Sequence, residues 1–275
     1  MNRVPLSQRL GQAAIYIGLL VGAAITIFPF LWMLSTAFKP GADVYSMKLI
    51  PENITLENFK AIFDQTPFAR WYMNSVIVAS LTTLSVCFFD PLVGYILAKV
   101  KFKGRDVIFF AILSSIMIPT EMLVIPWYIG AVKLSIEDTY LGIMFPGLIT
   151  AFGIFLMRQF MESLPNDLME AGRIDGLTEF GIFWKIAMPN VRPALAALAI
   201  FTFLGNWNAF LWPVIAITKP EMNTLPVGLS NFAYQNFNEY QLVMAGATMA
   251  VLPVLIVFAI FQKQIIKGIT LTGIK

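Results

Sequence analysis

The sequence predicts an all-α integral membrane protein with six transmembrane helices and both termini in the cytoplasm. Three observations carry that prediction. The 275 residues are 58% hydrophobic and only 13% charged, about half the ~25% charge of a soluble domain. Six stretches of the chain carry no charge or a single acid, each near the ~20 residues a helix needs to cross the hydrocarbon core. Thirteen of the 19 lysines and arginines fall in the connections on the N-terminal side of those stretches, which the positive-inside rule makes cytoplasmic. Backbone groups in lipid must be satisfied internally, so each stretch is read as a helix. The alternating pattern of a membrane barrel is missing.

Span one covers about 13–37, inside the uncharged run Leu10 to Phe38. Arg3 and Arg9 precede it, as in a signal peptide, but the apolar run is too long for a signal core and shows no cleavage site, so it is read as a retained anchor. The outer segment Gly41 to Arg70 holds Leu56, Phe59, Ile62 and Phe63 at the spacing of one helical face, predicting a short interfacial helix. Trp71 and Tyr72 follow at the level of an aromatic belt. Span two, about 71–98, contains only Asp90, directly before Pro91. Span three, about 107–130, contains only Glu121, and span four covers about 139–159, around the uncharged run Thr139 to Met157. Spans five and six, about 193–218 and 241–262, are uncharged. Between them, Lys219 to Glu239 contains Thr224-Leu225-Pro226-Val227-Gly228, which predicts a shaped loop rather than a helix.

Composition also excludes chemistry. There is no histidine, so imidazole catalysis and histidine-ligated metals are out. The single Cys87 allows no intrachain disulfide. A net charge of +3 does not point to nucleic acid. No repeat and no linker divides the chain, which is read as one membrane domain over 1–275.

The longest and most charged inner segment is 162–192. Pro165, Asn166 and Asp167 form a helix-start signal, with acids at the positive end of the helix dipole. Glu170 and Arg173 are three apart and are predicted to pair. Gly176 ends this first helix and Thr178 caps a second, which carries Phe180, Phe183, Trp184, Ile186 and Ala187 and stops before Pro189. A lipid-binding surface helix would place Lys and Arg on its polar face. Here Asp167, Glu170, Asp175 and Glu179 outnumber Arg173 and Lys185, which favours a protein partner.

Glu170-Ala171-Gly172, then Asp175-Gly176, then Ile186-Ala187-Met188-Pro189, resembles the EAA loop of ABC importer permeases. Pro193-Ala-Leu-Ala-Ala, Trp207-Asn208-Ala209-Phe210-Leu211-Trp212-Pro213, Thr224-Leu-Pro-Val-Gly-Leu229 and the tail to Gly273-Ile274-Lys275 are similar to the maltose-type (MalG-like) carbohydrate branch. The resemblance implies the type I permease fold of an ABC importer in the cytoplasmic inner membrane. Its implied partners are an ATPase subunit dimer, a second permease subunit in a heterodimer, and an extracytoplasmic sugar-binding protein, with membrane lipid around them. It places Glu170, Ala171, Gly172, Asp175, Gly176 and Pro189 at ATPase-coupling positions. It sets Gly273, Ile274 and Lys275 against the ATPase, and turns Thr224, Leu225, Pro226 and Gly228 toward the binding protein. Gly172 departs from the family's usual alanine, at a cost of about 1 kcal/mol in a helix, so this helix is expected to rely on docking for order. No phosphate loop occurs in the chain. ATP and magnesium are therefore expected on the partner ATPase, with no catalytic residue, metal or cofactor in this subunit.

Charge and amides inside the spans are functional candidates by default. Asp90, Glu121, Asn206, Trp207 and Asn208 are candidates for a sugar path, since aromatic faces stack on sugar rings and amides bond hydroxyls. Each has a packing or hydrogen-bonding reading beside it. A permease for a peptide or amino acid is the nearest alternative. A proton-coupled secondary transporter is more distant, with only Asp90 and Glu121 in its favour.

Overall fold

The computed structural model describes residues 6–271, and every regular element among them is helical. In chain order these are α1 (Leu6–Ala37), α2 (Glu57–Gln65), α3 (Phe68–Lys99), α4 (Arg105–Ser115), α5 (Thr120–Lys133) and α6 (Tyr140–Met144). There follow α7 (Ala151–Glu162), α8 (Asn166–Ile174), α9 (Glu179–Asn190), α10 (Arg192–Trp207), α11 (Leu211–Ala216), α12 (Leu225–Gln235) and α13 (Tyr240–Leu271). Among the described residues α1, α3 and α13 are unbroken helices long and apolar enough to span, and three bent pairs raise the number to as many as six if each pair is one span.

The bends have local causes. Span three breaks into α4 and α5 at an angle of 100°, where one helix was expected. Ser114 and Ser115 donate their hydroxyls to Ala111 O and Ile112 O at 2.8 and 2.7 Å, competing with the ladder. Pro119, in extended geometry with ψ 130°, then restarts the chain as α5. Span five also differs: α10 stops at Trp207, and Leu211–Ala216 forms a separate turn of helix. α13 runs beyond the predicted end at Gln262 to Leu271.

The chain packs as two compact units, one taking residues up to Pro67 with Leu229–Val251, the other Phe68–Gly228 and the chain from Leu252 on. In the first, α2 forms where a short helix was predicted, but its face is rotated. Asn58 and Ile62 are buried while Leu56 and Phe63 are exposed. The Asn58 amide donates to Ala37 O and Lys39 O, both at 2.8 Å, satisfying carbonyls that the end of α1 leaves open. Lys39 is buried, with its ammonium 4.7 Å from the Trp32 ring centre and donating to Ser46 O at 3.0 Å.

In the second unit α3 packs chiefly on α7 and α10. Gly94 makes the α3–α7 approach possible: a Cβ there would lie 2.8 Å from the Arg158 backbone nitrogen. Tyr95, Met157, Met161, Met169, Ile182 and Phe183 close a common core around the ends of α3, α7, α8 and α9.

Candidate functional site

The segment 162–192 folds as an elbow. Pro165, at ψ 134°, holds the extended entry to α8, and Asp167 lies in its first turn. The exit is a complete Schellman turn: Leu177 N donates to Gly172 O and Gly176 N to Arg173 O, at 3.0 and 3.1 Å. Gly176 supplies the φ of 79° that this turn needs. Thr178 Oγ1 accepts from Gly181 N at 3.2 Å and starts α9. α9 does not stop before Pro189. It passes through a π turn at Phe183–Ala187 and continues to Asn190, with Pro189 at the beginning of the last helical segment.

Two expectations about this segment change. Arg173 does not turn to Glu170; its Nε donates to Glu179 Oε1 across the elbow at 2.8 Å. Tyr95 of α3 donates its hydroxyl to the other oxygen of Glu179 at 2.9 Å. The Arg173 hydrogen bond holds the Glu179 carboxyl below its ordinary value, with burial opposing and Tyr95 adding. Gly172, which the resemblance sets among the ATPase-coupling residues, is buried. A Cβ at 172 would lie 2.6 Å from Ile186 Cδ1 and 3.1 Å from Ile182 Cγ1. The missing Cβ lets α8 lie close against the Ile182 and Ile186 side chains of α9. The open face of α8 presents Asp167, Glu170, Ala171 and Asp175, with Ile174 86% exposed at its tip.

The elbow is also fastened to α3 at its entry. Lys99 Nζ donates to Leu164 O at 2.6 Å and to Asn166 Oδ1 at 2.9 Å. Sequence spacing held no sign of the Tyr95 and Lys99 contacts, because their partners are more than sixty positions away.

The polar residues of the spans are not gathered into one cluster. Asp90 is fully buried, and its oxygens accept from Thr150 N at 3.0 Å and Thr150 Oγ1 at 2.6 Å. Thr150 is itself the N-cap of α7 through Gly153 N, so Asp90 latches α3 to the start of α7. Glu121 is exposed in the first turn of α5. Trp207 is 2% exposed, edge-on to Tyr72 at 5.4 Å and stacked on Phe203 at 6.1 Å, which leaves no open ring face for a sugar. Asn206 and Asn208 donate back to Thr202 O and Leu204 O at 2.9 Å, closing the end of α10. Trp212 donates to Ile143 O at 3.0 Å.

The stretch expected as a shaped loop is mostly helix. A 3-10 turn at Pro220–Met222 leads into α12, which contains both Pro226 and Gly228. Pro226 fits because it is the second residue of α12. Gly228 fits because the Trp71 ring occupies the space its Cβ would take, 2.2 Å away. Trp71, expected at the aromatic belt, is buried and donates Nε1 to Pro220 O at 2.9 Å. Thr224, Leu225 and Gly228 are buried too. These residues form a socket, and any surface shown to a partner comes from their neighbours. Asp138, which sequence reasoning passed over, clamps the same end: at φ 56° it accepts from Thr218 N and Lys219 N at 2.6 and 2.9 Å. Burial alone would raise its carboxyl; the Thr218 hydroxyl and the two amides outweigh that and hold it below its ordinary value. Gly273, Ile274 and Lys275 lie outside the described residues.

Residues 91–271 match the family model described as binding-protein-dependent transport system inner membrane component. The chain is 38% identical over 264 residues to the arabinooligosaccharides transport system permease protein AraQ of Halalkalibacterium halodurans, covering 94% of this chain and 95% of that one. It is 31% identical over 263 residues to the lactose transport system permease protein LacG of Rhizobium radiobacter, with 96% of each chain covered. Its fold is similar to a chain in the crystal structure of a bacterial ABC transporter involved in the import of the acidic polysaccharide alginate. That match has a TM-score of 0.85 at 26% identity and covers 96% of this chain and 99% of the other.

Proposed function

We propose, from the premise that this chain belongs to the family of binding-protein-dependent transport system inner membrane components, a role as the sugar-translocating half of an ATP-driven importer. The chain is an ABC importer permease, a translocation subunit resident in a membrane. Beyond that, we read residues 1–275 as one permease domain of the cytoplasmic membrane, paired with a second permease and seated on two ATPase subunits that hold ATP and magnesium. A binding protein delivers the solute from outside. The solute is an oligosaccharide, in keeping with the saccharides named for the relatives.

The elbow carries this reading. Its inward face is welded to α3 and α9 by Gly172, Glu179 and Lys99, so α8 moves as a rigid piece. Its open face offers Glu170 and Asp175 around the apolar tip Ile174, a surface suited to a basic-rimmed apolar cleft on an ATPase. Closure of the ATPase pair on ATP would displace α8, and the displacement would pass into the spans and reverse which side the pathway faces. The tail 273–275 is proposed to brace the same ATPase pair, and the 3-10 turn at Pro220–Met222 to meet the binding protein.

The test uses the complete complex in membrane vesicles with arabinotriose as the probe. Glu170→Lys reverses a charge at the interface, and Gly176→Val forbids the left-handed turn. Each should cut ATP-dependent uptake by roughly tenfold or more while the subunit stays in the membrane. Wild-type uptake in both variants refutes coupling through this elbow. Uptake that survives ATP depletion and stops when the proton gradient collapses identifies a secondary transporter instead.

A further inference from the structure

α3 is built into the protein at both of its ends. At the cytoplasmic end Tyr95 reaches Glu179 of α9, and Lys99 reaches the junction of α7 and α8. At the opposite end Trp71 donates to Pro220 O at 2.9 Å, and Asn74 donates to Glu221 O and Asn223 O at 2.8 and 2.9 Å. Ser75 Oγ accepts from Leu225 N at 2.8 Å. Trp71, Asn74 and Ser75 fall at i, i+3 and i+4, so they share one helix face, and all three are buried. Gly228 leaves no slack beside the Trp71 ring.

Between these ends the helix is continuous through Pro91 for 32 residues, about 48 Å at the α-helical rise. Asp90 and Gly94 hold it against α7 along the way. The other chain route from the elbow to this socket runs through α9, α10 and α11. That route is bent by 83° at Val191 and broken after Trp207. A force applied at the elbow therefore has one unbroken path to the Pro220–Leu225 turn.

We infer that α3 is the rigid link between the elbow and the binding-protein side, with Tyr95 and Lys99 as its positioning residues at one end and Trp71, Asn74 and Ser75 at the other. The inference rests on the proposed coupling role of the elbow. It adds the helix and the residues through which nucleotide state on one side becomes a change in the turn on the other. Because the link is a series element, cutting either end should break it, and cutting both should do no further harm.

The experiment follows amide hydrogen exchange in the complete complex, purified with its ATPase, with and without ATP plus vanadate. Peptides covering 166–188 report the elbow, and peptides covering 219–229 report the turn. In the wild type both should respond to nucleotide. In Tyr95→Phe and in Ser75→Ala the elbow response should persist, while the turn response falls roughly three- to tenfold, the worth of one hydrogen bond. The double variant should match the weaker single. Exchange without nucleotide should stay at wild type in both single variants except at the Leu225 amide, whose acceptor Ser75→Ala removes, so the turn response is read from the other amides of 219–229; where Tyr95→Phe alters the basal pattern, Lys99→Met cuts the same end and the same outcomes apply. A turn response that is wild-type in the variants, absent in the wild type, or reduced multiplicatively in the double variant overturns the link while leaving the elbow's role standing. An elbow that ignores nucleotide overturns that role and the link together.

Discussion

Replacing Asp90 by alanine removes both acceptors from Thr150, leaving its amide N–H and its hydroxyl proton without acceptors, while the hydroxyl oxygen keeps Gly153 N. No water is at hand there to take them up, and each orphaned donor costs about 1–3 kcal/mol. The sum is about 2–6 kcal/mol. Asparagine behaves differently. Its carbonyl still accepts from the Thr150 amide, and its NH2 can donate to Thr150 Oγ1, reversing that bond. What is lost is the acceptor of the Thr150 hydroxyl proton and the negative charge at the positive end of α7, the charge worth about 0.3–2 kcal/mol. Thermal melting of the detergent-solubilised complex should therefore rank wild type above Asp90→Asn, and Asp90→Asn well above Asp90→Ala. ATP-dependent uptake should survive in Asp90→Asn. An alanine variant as heat-stable as wild type would mean that the latch bears no load. An asparagine variant that melts normally but no longer transports would mean that the charge itself works in translocation, and the assignment of Asp90 to structure would be wrong.

Glu179, held below its ordinary value by Arg173 and Tyr95, gives a pH dependence of definite sign. A carboxylate with a lowered folded value stabilises above its unfolded value of about 4.3 and loses that contribution as pH falls through the lowered one. Exchange protection across Leu177–Ile182 should thus be flat from neutral pH down to about 5 and fall below about 4.3; protection that weakens between neutrality and about 5 contradicts the assignment. Gly228→Ala drives a methyl into the Trp71 ring and should cost about 1–3 kcal/mol, read as a lower melting temperature of the complex, whereas an unchanged melt would mean the ring has room to move. Should Gly176→Asn restore the uptake that Gly176→Val removes, the need is for a left-handed residue rather than for an absent side chain, since asparagine tolerates that region; equal loss in both variants points to sterics.

The elbow was legible because its signals are local. Pro165, Gly176 and Thr178 act on backbone groups within five residues, and capping chemistry of that range can be read along a chain. Prolines misled where they sit early in a helical segment. Pro189 read as a stop, yet α9 runs on through it after a π turn, and Pro226 read as a loop signal, yet it is the second residue of α12, where a missing donor costs nothing. Side-chain partners across the fold were not legible. Arg173 had an acid three positions back and another six positions on, and only the direction of the Schellman turn decides between them. Asp90 and Thr150, or Trp71 and Pro220, are 60 and 149 positions apart, and no spacing rule reaches so far. The Trp207 and Asn206 candidates had the right chemistry for a sugar, but burial and back-bonding consume it.

The two faces of α8 store different information. Gly172, Met169 and the glycine turn set the angle of the bracket, and they answer only to residues of this same polypeptide. Asp167, Glu170, Ala171, Ile174 and Asp175 are exposed on the other face. Recognition can therefore drift, or be transplanted between transporters, without rebuilding the joint. On the proposed reading, substitutions on the open face would change the match to a motor while leaving the packing of Gly172 on Ile182 and Ile186 as it is.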